Sequence, residues 1–118
     1  MNKELEIVAR QILESAENKA KNNKTILSPI TIATIIYYII RIIILIQKSQ
    51  NDHKDRIKLF KSTNIFKRIW LKGLIAKEMN IVDAKDRKYI YEATLAYMKD
   101  AKEEEISTLL FLDLENEK

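Results

Sequence analysis

A run of 21 residues from Ile26 to Ile46, eleven of them isoleucine, constrains the fold of this chain more than any other feature. About 20 apolar residues suffice to cross the hydrocarbon core of a bilayer, but the run is also long enough to be the central helix of a small bundle. The Ser28-Pro29 pair predicts where a helix begins, because Ser is a favoured N-cap and the missing N–H of Pro costs nothing at the first helical position. A strand of this length would far exceed ordinary strands.

The polar side chains of this stretch favour a helix that lies inside a soluble bundle. At about 100° per residue they share one arc of about 120°, and Ile, Leu and Ala occupy the rest of the helix surface. These residues are Thr31, Thr34, Tyr37, Tyr38, Arg41 and Lys48. Arg41 lies past the middle of the run, where a charge in a bilayer costs at least ~2.5 kcal/mol. A membrane-anchored protein that spans the bilayer at residues 26–46 is the alternative.

Composition predicts one all-α domain of residues 1–118. A single Gly and a single Pro leave almost no residues for hairpins or bulges, and 118 residues suffice for one hydrophobic core. Without cysteine, the chain has no disulfides, thiolate metal ligands or cysteine nucleophiles. Its first residues, MNKELEIVARQILE, are amphipathic and partly acidic, unlike a secretory signal, so we expect a cytoplasmic protein.

Apolar spacing along the chain predicts a bundle of four to five helices around the isoleucine-rich one. We expect long helices at about 3–21, 29–48, 65–79 and 84–105, a polar loop at 49–55, a short apolar turn at 57–60 and an apolar tail. Ser62 or Thr63 is the expected cap of the third long helix, and Asp83 is the expected cap of the fourth.

The apolar side chains of the third long helix share one face, which we expect to pack in the core. They are Ile65, Phe66, Ile69, Trp70, Leu74, Ile75 and Met79. The basic residues Lys67, Arg68 and Lys72 then fall on the opposite, solvated face. The alternative is that aromatic rings such as Phe66 and Trp70 are exposed and stack on unpaired bases. We interpret Gly73, which is unfavourable inside a helix, as the mark of a close helix crossing.

The net charge of +4 is unevenly distributed along the chain. Residues 47–77 carry nine basic and two acidic side chains, whereas residues 78–118 carry six basic and eleven acidic ones. Lys and Arg neutralise nucleic-acid phosphates and displace counterions, so the basic segment predicts a surface for RNA or another nucleic-acid backbone. The candidate phosphate contacts are Lys54, Arg56, Lys58, Lys61, Lys67, Arg68 and Lys72. The alternatives are a generic solvated face and a surface that docks an acidic partner, including a second copy of this chain.

Two apolar sets towards the C-terminus are candidate protein interfaces. Tyr89 and Tyr97 of the last long helix combine apolar bulk with a hydroxyl, and beyond that helix lie Leu110, Phe111 and Leu112. Both sets could instead belong to the core. Burial of either set in a partner would make the chain a protein–protein interaction module, such as a viral or immunity-type inhibitor.

The sequence offers little support for catalysis. His53 is the only histidine, and it lies in the predicted polar loop between Asp52 and Lys54. Without a second His or any Cys, we expect no metal site. There is no glycine-rich phosphate loop, and the acidic run at residues 103–105 is most simply a solvated helix end. We expect a non-enzymatic protein without a cofactor.

Residues 88–99 read KYIYEATLAYMK, and the core of this segment is Glu92-Ala93-x-x-Ala96-Tyr97-x-Lys99. This pattern resembles the closing helix of the small helical subunit of type III-A (Csm) CRISPR effector complexes. The chain is also similar to that family in its size, its helical character and its basic central segment. The resemblance implies a non-catalytic subunit, repeated along an antiviral ribonucleoprotein, whose basic side chains line the guide–target duplex without reading its sequence.

Overall fold

The computed structural model describes residues 2–114, and all secondary structure in that range is helical. Its six helices are α1 Lys3–Asn22, α2 Pro29–Ser49, α3 His53–Lys61, α4 Ile65–Glu78, α5 Ala84–Asp100 and α6 Glu103–Leu110. The predicted all-α class is confirmed. The predicted count of four to five helices is too low, because a short helix follows α2 and the last long helix is divided in two.

The short helix α3 begins inside the segment that the sequence predicted to be a loop. The carboxylate of Asp52 accepts the N–H of Lys54 at 2.7 Å, so the helix starts at His53. A second cap also differs from the prediction, since Asn64 rather than Ser62 or Thr63 accepts the N–H of Lys67, at 2.8 Å. Asp and Asn cap helices as well as Ser does, so neighbouring polar residues compete for this role.

The predicted helix over 84–105 is broken at Ala101 and Lys102, where the backbone is extended with ψ of 144° and 143°. The break lets α6 turn back and pack against α2 and α3. This packing buries Ile106, Leu109 and Leu110. Leu109 and Leu110 of the apolar C-terminal segment thus belong to the core of the same chain, whereas Phe111 is exposed.

One hydrophobic core joins all six helices. α1 packs against α2 and α5, and α5 also packs against α3 and α4. α2 contacts α1, α3, α4 and α6. Completely enclosed side chains include Leu5, Ile12, Tyr38, Ile46, Ile90 and Met98.

α2 buries one face and exposes another, and the division does not follow polarity. Thr31 and Tyr38 are enclosed, whereas Ile30, Ile32 and Tyr37 are exposed. The polar side chains that the sequence places on one arc of α2 are therefore divided between the core and the solvent. With a mean hydropathy of 2.2, α2 is the one helix among residues 2–114 long and apolar enough to cross a membrane, a property that core helices share.

The buried carboxylate of Asp86 on α5 ties down the start of α2. Its Oδ2 accepts the backbone N–H of Ser28 at 3.0 Å and the hydroxyl of Thr31 at 2.5 Å. Ser28 caps α2 as predicted, because its hydroxyl accepts the N–H of Thr31 at 3.3 Å. Burial opposes ionisation of Asp86, but the hydrogen bonds from Ser28 and Thr31 outweigh it and lower the pKa of the carboxyl.

Candidate nucleic-acid interface

The seven predicted phosphate contacts are divided between the surface and the interior of the bundle. Lys54, Lys58, Arg68 and Lys72 are exposed, Arg56 and Lys61 are half-buried, and Lys67 is buried. The basic segment of the sequence is therefore not one continuous basic surface.

Lys67 is enclosed, with 3% of its surface exposed, so the prediction of a solvated side chain is wrong. Its ammonium donates to the carbonyls of Leu59 and Phe60 at 2.6 and 2.9 Å and lies 5.8 Å from the centre of the Trp70 ring. Both carbonyls are in the last turn of α3, where backbone acceptors lack partners within the helix. Burial lowers the pKa of Lys67 to about 8. Lys67 thus holds α3 against α4 and is not accessible to a phosphate.

Part of the α4 face that the sequence predicted to be buried is exposed to solvent. Phe66 and Ile69 are 79% and 62% exposed, and the prediction of both as core residues is wrong. The buried residues of the helix are Lys67, Leu71, Leu74 and Ile75, and Trp70 is half-buried. Apolar side chains occupy most of the circumference of α4, so its periodicity allows more than one inward face. The chosen face encloses Leu71 and the aliphatic stem of Lys67.

Gly73 lies on the exposed side of α4. A Cβ added there would meet nothing within 4 Å. The predicted close helix crossing at this residue is therefore absent from the part of the chain that the structure describes.

Arg56 is bound to backbone carbonyls near the end of α2 and the end of α6. Its Nε donates to the carbonyl of Gln50 at 2.6 Å, and its Nη1 donates to that of Leu110 at 3.4 Å. The side-chain amide of Gln47 donates to the same Leu110 carbonyl at 3.1 Å and to that of Leu112 at 2.8 Å. Arg56 and Gln47 together satisfy carbonyls that the end of α6 leaves unpaired.

The candidate protein-interface residues lie mostly inside the bundle. Tyr89 and Leu110 are buried, Tyr97 and Leu112 are half-buried, and Phe111 is exposed. The ring of Tyr97 meets that of Phe60 edge-on, with 6.3 Å between centres. Phe111 stacks on His53 with 4.4 Å between ring centres, and the Nε2 of His53 lies 3.0 Å from the hydroxyl oxygen of Ser107. His53, which the sequence placed in a surface loop, therefore joins α3 to the C-terminal segment.

A groove between α4 and α5 is lined by three basic side chains and one aromatic ring. Its volume is about 360 Å³, and its lining includes Lys72 from α4 and Arg87, Lys88 and Tyr91 from α5. The ammonium of Lys72 lies 4.9 Å from the centre of the Tyr91 ring, within the range of a cation–π interaction. The Nε of Arg87 is buried and has no hydrogen-bond partner among residues 2–114. These four residues define the α4–α5 groove.

Sequence reasoning missed Arg87 and Lys88, because both belong to the C-terminal segment whose net charge is negative. The helical spacing of α5 would have indicated them. Arg87 and Lys88 lie four and three residues before Tyr91, so all three side chains share one face of the helix. Arg68 is exposed and lies one turn before Lys72, so it extends the row of cations along α4. The acidic lining residue, Glu92, is half-buried.

The chemistry of the groove is that of anion binding. Lys and Arg side chains on a concave surface attract phosphates. Within residues 2–114, no group of three or more His, Cys, Asp or Glu side chains is placed to hold a metal ion.

Comparisons with protein-family models, with curated proteins and with solved structures find no match to this chain. The resemblance of residues 88–99 to the small subunit of Csm complexes therefore stays a prediction. The function must be inferred from the geometry of the chain itself.

Proposed function

We propose that this protein is a non-catalytic, sequence-independent binder of nucleic-acid backbone, with RNA as its partner, and a subunit of a multi-subunit ribonucleoprotein. The observation that carries the proposal is the α4–α5 groove, which Lys72, Arg87, Lys88 and Tyr91 line together and in which the Lys72 ammonium lies over the Tyr91 ring. The exposed Arg68 lengthens this cationic surface along α4.

The residue types of the groove favour contacts with the backbone over contacts with base edges. Lys and Arg donate hydrogen bonds to phosphate oxygens and fix the position of a strand without reading its sequence. None of the lining residues is Asn or Gln, the side chains that most often pair with adenine. Binding should therefore depend steeply on salt and weakly on sequence.

The ribonucleoprotein setting is supported by the resemblance of residues 88–99 to the small subunit of Csm complexes. Lys88 and Tyr91 of the groove lie within that same segment of α5. A subunit that contributes only backbone contacts would act together with others along one RNA.

The test is binding of purified, nuclease-treated protein to a labelled single-stranded RNA of about 40 nucleotides at several salt concentrations. We expect log affinity to fall linearly with log salt. Lys72→Gln, Arg87→Gln and Lys88→Gln should each weaken binding and reduce the steepness of that line by about 0.7. Lys67 is not a suitable variant, because its ammonium is buried in the fold.

The matched controls are Lys3→Gln and Lys21→Gln, which remove the same charge from exposed positions on α1. They should leave the salt dependence unchanged. Folded, soluble protein that binds no RNA at low salt would overturn the proposal. Equal losses in the control variants would show that net charge, rather than the groove, drives binding.

A further inference from the structure

We propose that this protein associates with copies of itself head to tail, through the outer face of α4 on one copy and an acidic groove on the next. The association needs no nucleic acid and goes beyond the proposed function. Three observations support it: an uncovered apolar face, a groove elsewhere on the chain, and opposite charges around the two.

The outer face of α4 is an apolar surface of exposed residues: Ile65, Phe66, Ile69, Gly73 and Ala76. Exposed cations border it, with Arg68 and Lys72 on one side and Lys77 on the other. Exposed apolar surface with a charged rim is typical of an interaction site. Because Gly73 has no side chain and the space where a Cβ would stand is open for 4 Å, a partner can approach the helix backbone closely there.

The acidic groove lies where α1, α5 and α6 meet. Ile7, Tyr97 and Leu109 supply its apolar lining, and the exposed carboxylates of Glu4 and Glu105 border it. Ile7 is 50% exposed and lies on the outward side of α1, away from the residues that this helix buries. The volume of about 250 Å³ lies below the ~300–1,000 Å³ of ordinary small-molecule sites. The groove is thus sized for a protruding side chain rather than for a larger ligand.

The two surfaces are complementary in charge. The outer face of α4 carries a protruding aromatic ring between cations, and the acidic groove is an apolar depression between carboxylates. Opposite charges around an apolar contact speed the encounter and disfavour other arrangements. Arg68, Lys72 and Lys77 belong to the basic segment 47–77, and Glu105 belongs to the acidic segment 78–118.

The partner is a second copy of this chain, because one chain carries both the outer face of α4 and the acidic groove. The two surfaces are exposed in the same chain, so they do not cover each other. They also lie on different helices, and the contact is therefore heterologous. Heterologous contacts repeat from copy to copy, producing an open row or a closed ring.

The experiment is sedimentation velocity on nuclease-treated protein from low micromolar to millimolar concentration. We expect the mean mass of wild-type protein to rise with concentration and to fall with added salt. Phe66→Glu, which blocks the outer face, and Glu4→Lys/Glu105→Lys, which blocks the groove, should each weaken association by about tenfold or more. A mixture of the two variants retains one intact contact and should form a one-to-one dimer that grows no further.

The matched control is Ile26→Glu, at an apolar residue that is 93% exposed and outside both surfaces. It should associate as wild type does. A wild-type monomer at millimolar concentration, a mixture that does not dimerise, or equal dissociation by Ile26→Glu would each overturn the proposal. RNA binding by the wild-type protein at a concentration at which it is monomeric is a separate readout, so failure of this proposal is distinguishable from failure of the proposed function.

Discussion

The hydroxyl of Thr31 on α2 donates to the carboxylate of Asp86 on α5 at 2.5 Å, across 55 positions of sequence. Both side chains are enclosed. Neither the isoleucine-rich run nor the first turn of α5 requires a polar residue at these points. The pair fixes the start of α2 against α5 because a different alignment of the two helices would leave both groups buried without partners.

Asp86→Ala should lower the free energy of unfolding by about 2–3 kcal/mol, since it leaves the Ser28 N–H and the Thr31 hydroxyl without their acceptor. Urea denaturation followed by circular dichroism measures the loss. Asp83→Ala is the control, because Asp83 is exposed and makes no side-chain cap hydrogen bond. An equal effect of the two substitutions would contradict the role assigned to Asp86.

The same carboxylate should make stability dependent on acid pH. Its pKa is lowered on folding, so the unfolded chain takes up the proton first as the pH falls. The stabilisation is complete above the ordinary carboxyl pKa of about 4 and disappears as the pH drops through the folded value. Asp86→Asn should remove this part of the acid dependence, which urea denaturation at a series of pH values will show.

Lys67→Met should destabilise the protein by about 1–3 kcal/mol, because it keeps the length of the side chain but leaves the carbonyls of Leu59 and Phe60 unpaired. Arg68→Met is the control on the exposed side of the same helix and should change stability by less than about 0.5 kcal/mol. Chemical denaturation of both variants compares them directly. A neutral Lys67→Met would mean that water satisfies those carbonyls.

The lowered pKa of Lys67, about 8 against an ordinary value of 10.5, also predicts an alkaline effect. Between these two values the unfolded chain holds more protons than the folded chain, so the free energy of unfolding should rise with pH across the window. Lys67→Met should lack this rise. The difference between the two proteins at pH 8 and pH 10 is the measurement.

Two tyrosines should resist ionisation in the folded protein. Burial raises the pKa of Tyr38 far above its ordinary value, and burial together with the charge of Glu105 raises the pKa of Tyr97 to about 12. At pH 11, ultraviolet absorbance should therefore show additional tyrosinate when denaturant unfolds the chain. Because both groups ionise more easily when unfolded, their stabilisation is present below pH 10 and is lost as the pH rises above it. Tyr38→Phe should reduce that loss.

The orientation of α4 is testable by two truncations on opposite faces. Leu71→Ala should cost about 2–5 kcal/mol, since Leu71 is enclosed. Phe66→Ala should cost less than about 0.5 kcal/mol, since the ring is mostly exposed. Both are measured by urea denaturation at a concentration at which the protein is monomeric. The reverse order would support the inward face that the sequence predicts.

Gly73→Ala should raise the free energy of unfolding by about 0.5–1 kcal/mol, because alanine favours a helix and the new Cβ meets no neighbour. A close helix crossing at this residue would instead make the substitution destabilising. The thermal midpoint of the variant, compared with that of the wild type, distinguishes the two. Ala76→Gly on the same exposed face is the reverse change and should destabilise by a similar amount.

Local sequence signals predicted a helix boundary best where a single residue was the clear candidate for the cap. Ser28 and Pro29 start α2 at the predicted position, and the first helix occupies nearly the predicted range. Errors arose where several nearby residues were equivalent candidates, as with Ser62, Thr63 and Asn64 before α4. A backbone break without Gly or Pro, such as the one at Ala101, leaves no comparable signal.

The sequence predicted two exposed cations of the candidate site but not the two that α5 contributes. Lys72 and Arg68 are on the surface as predicted, whereas Lys67 is in the core. Arg87 and Lys88 join the groove from a segment whose net charge is negative. Charge summed along a sequence cannot reveal such a groove, because a groove depends on which faces of two helices meet.

By itself, the sequence determined that the chain is helical and where most helices begin, because capping and periodicity depend on residues within one or two turns. Only the tertiary structure decided which face of α4 is buried, that Thr31 and Lys67 are enclosed, and that Lys72 lies beside Arg87 and Lys88. The physical reason is competition for the core. α2 and α4 each have more apolar surface than the bundle can cover, so the packing of distant helices selects the face that is buried.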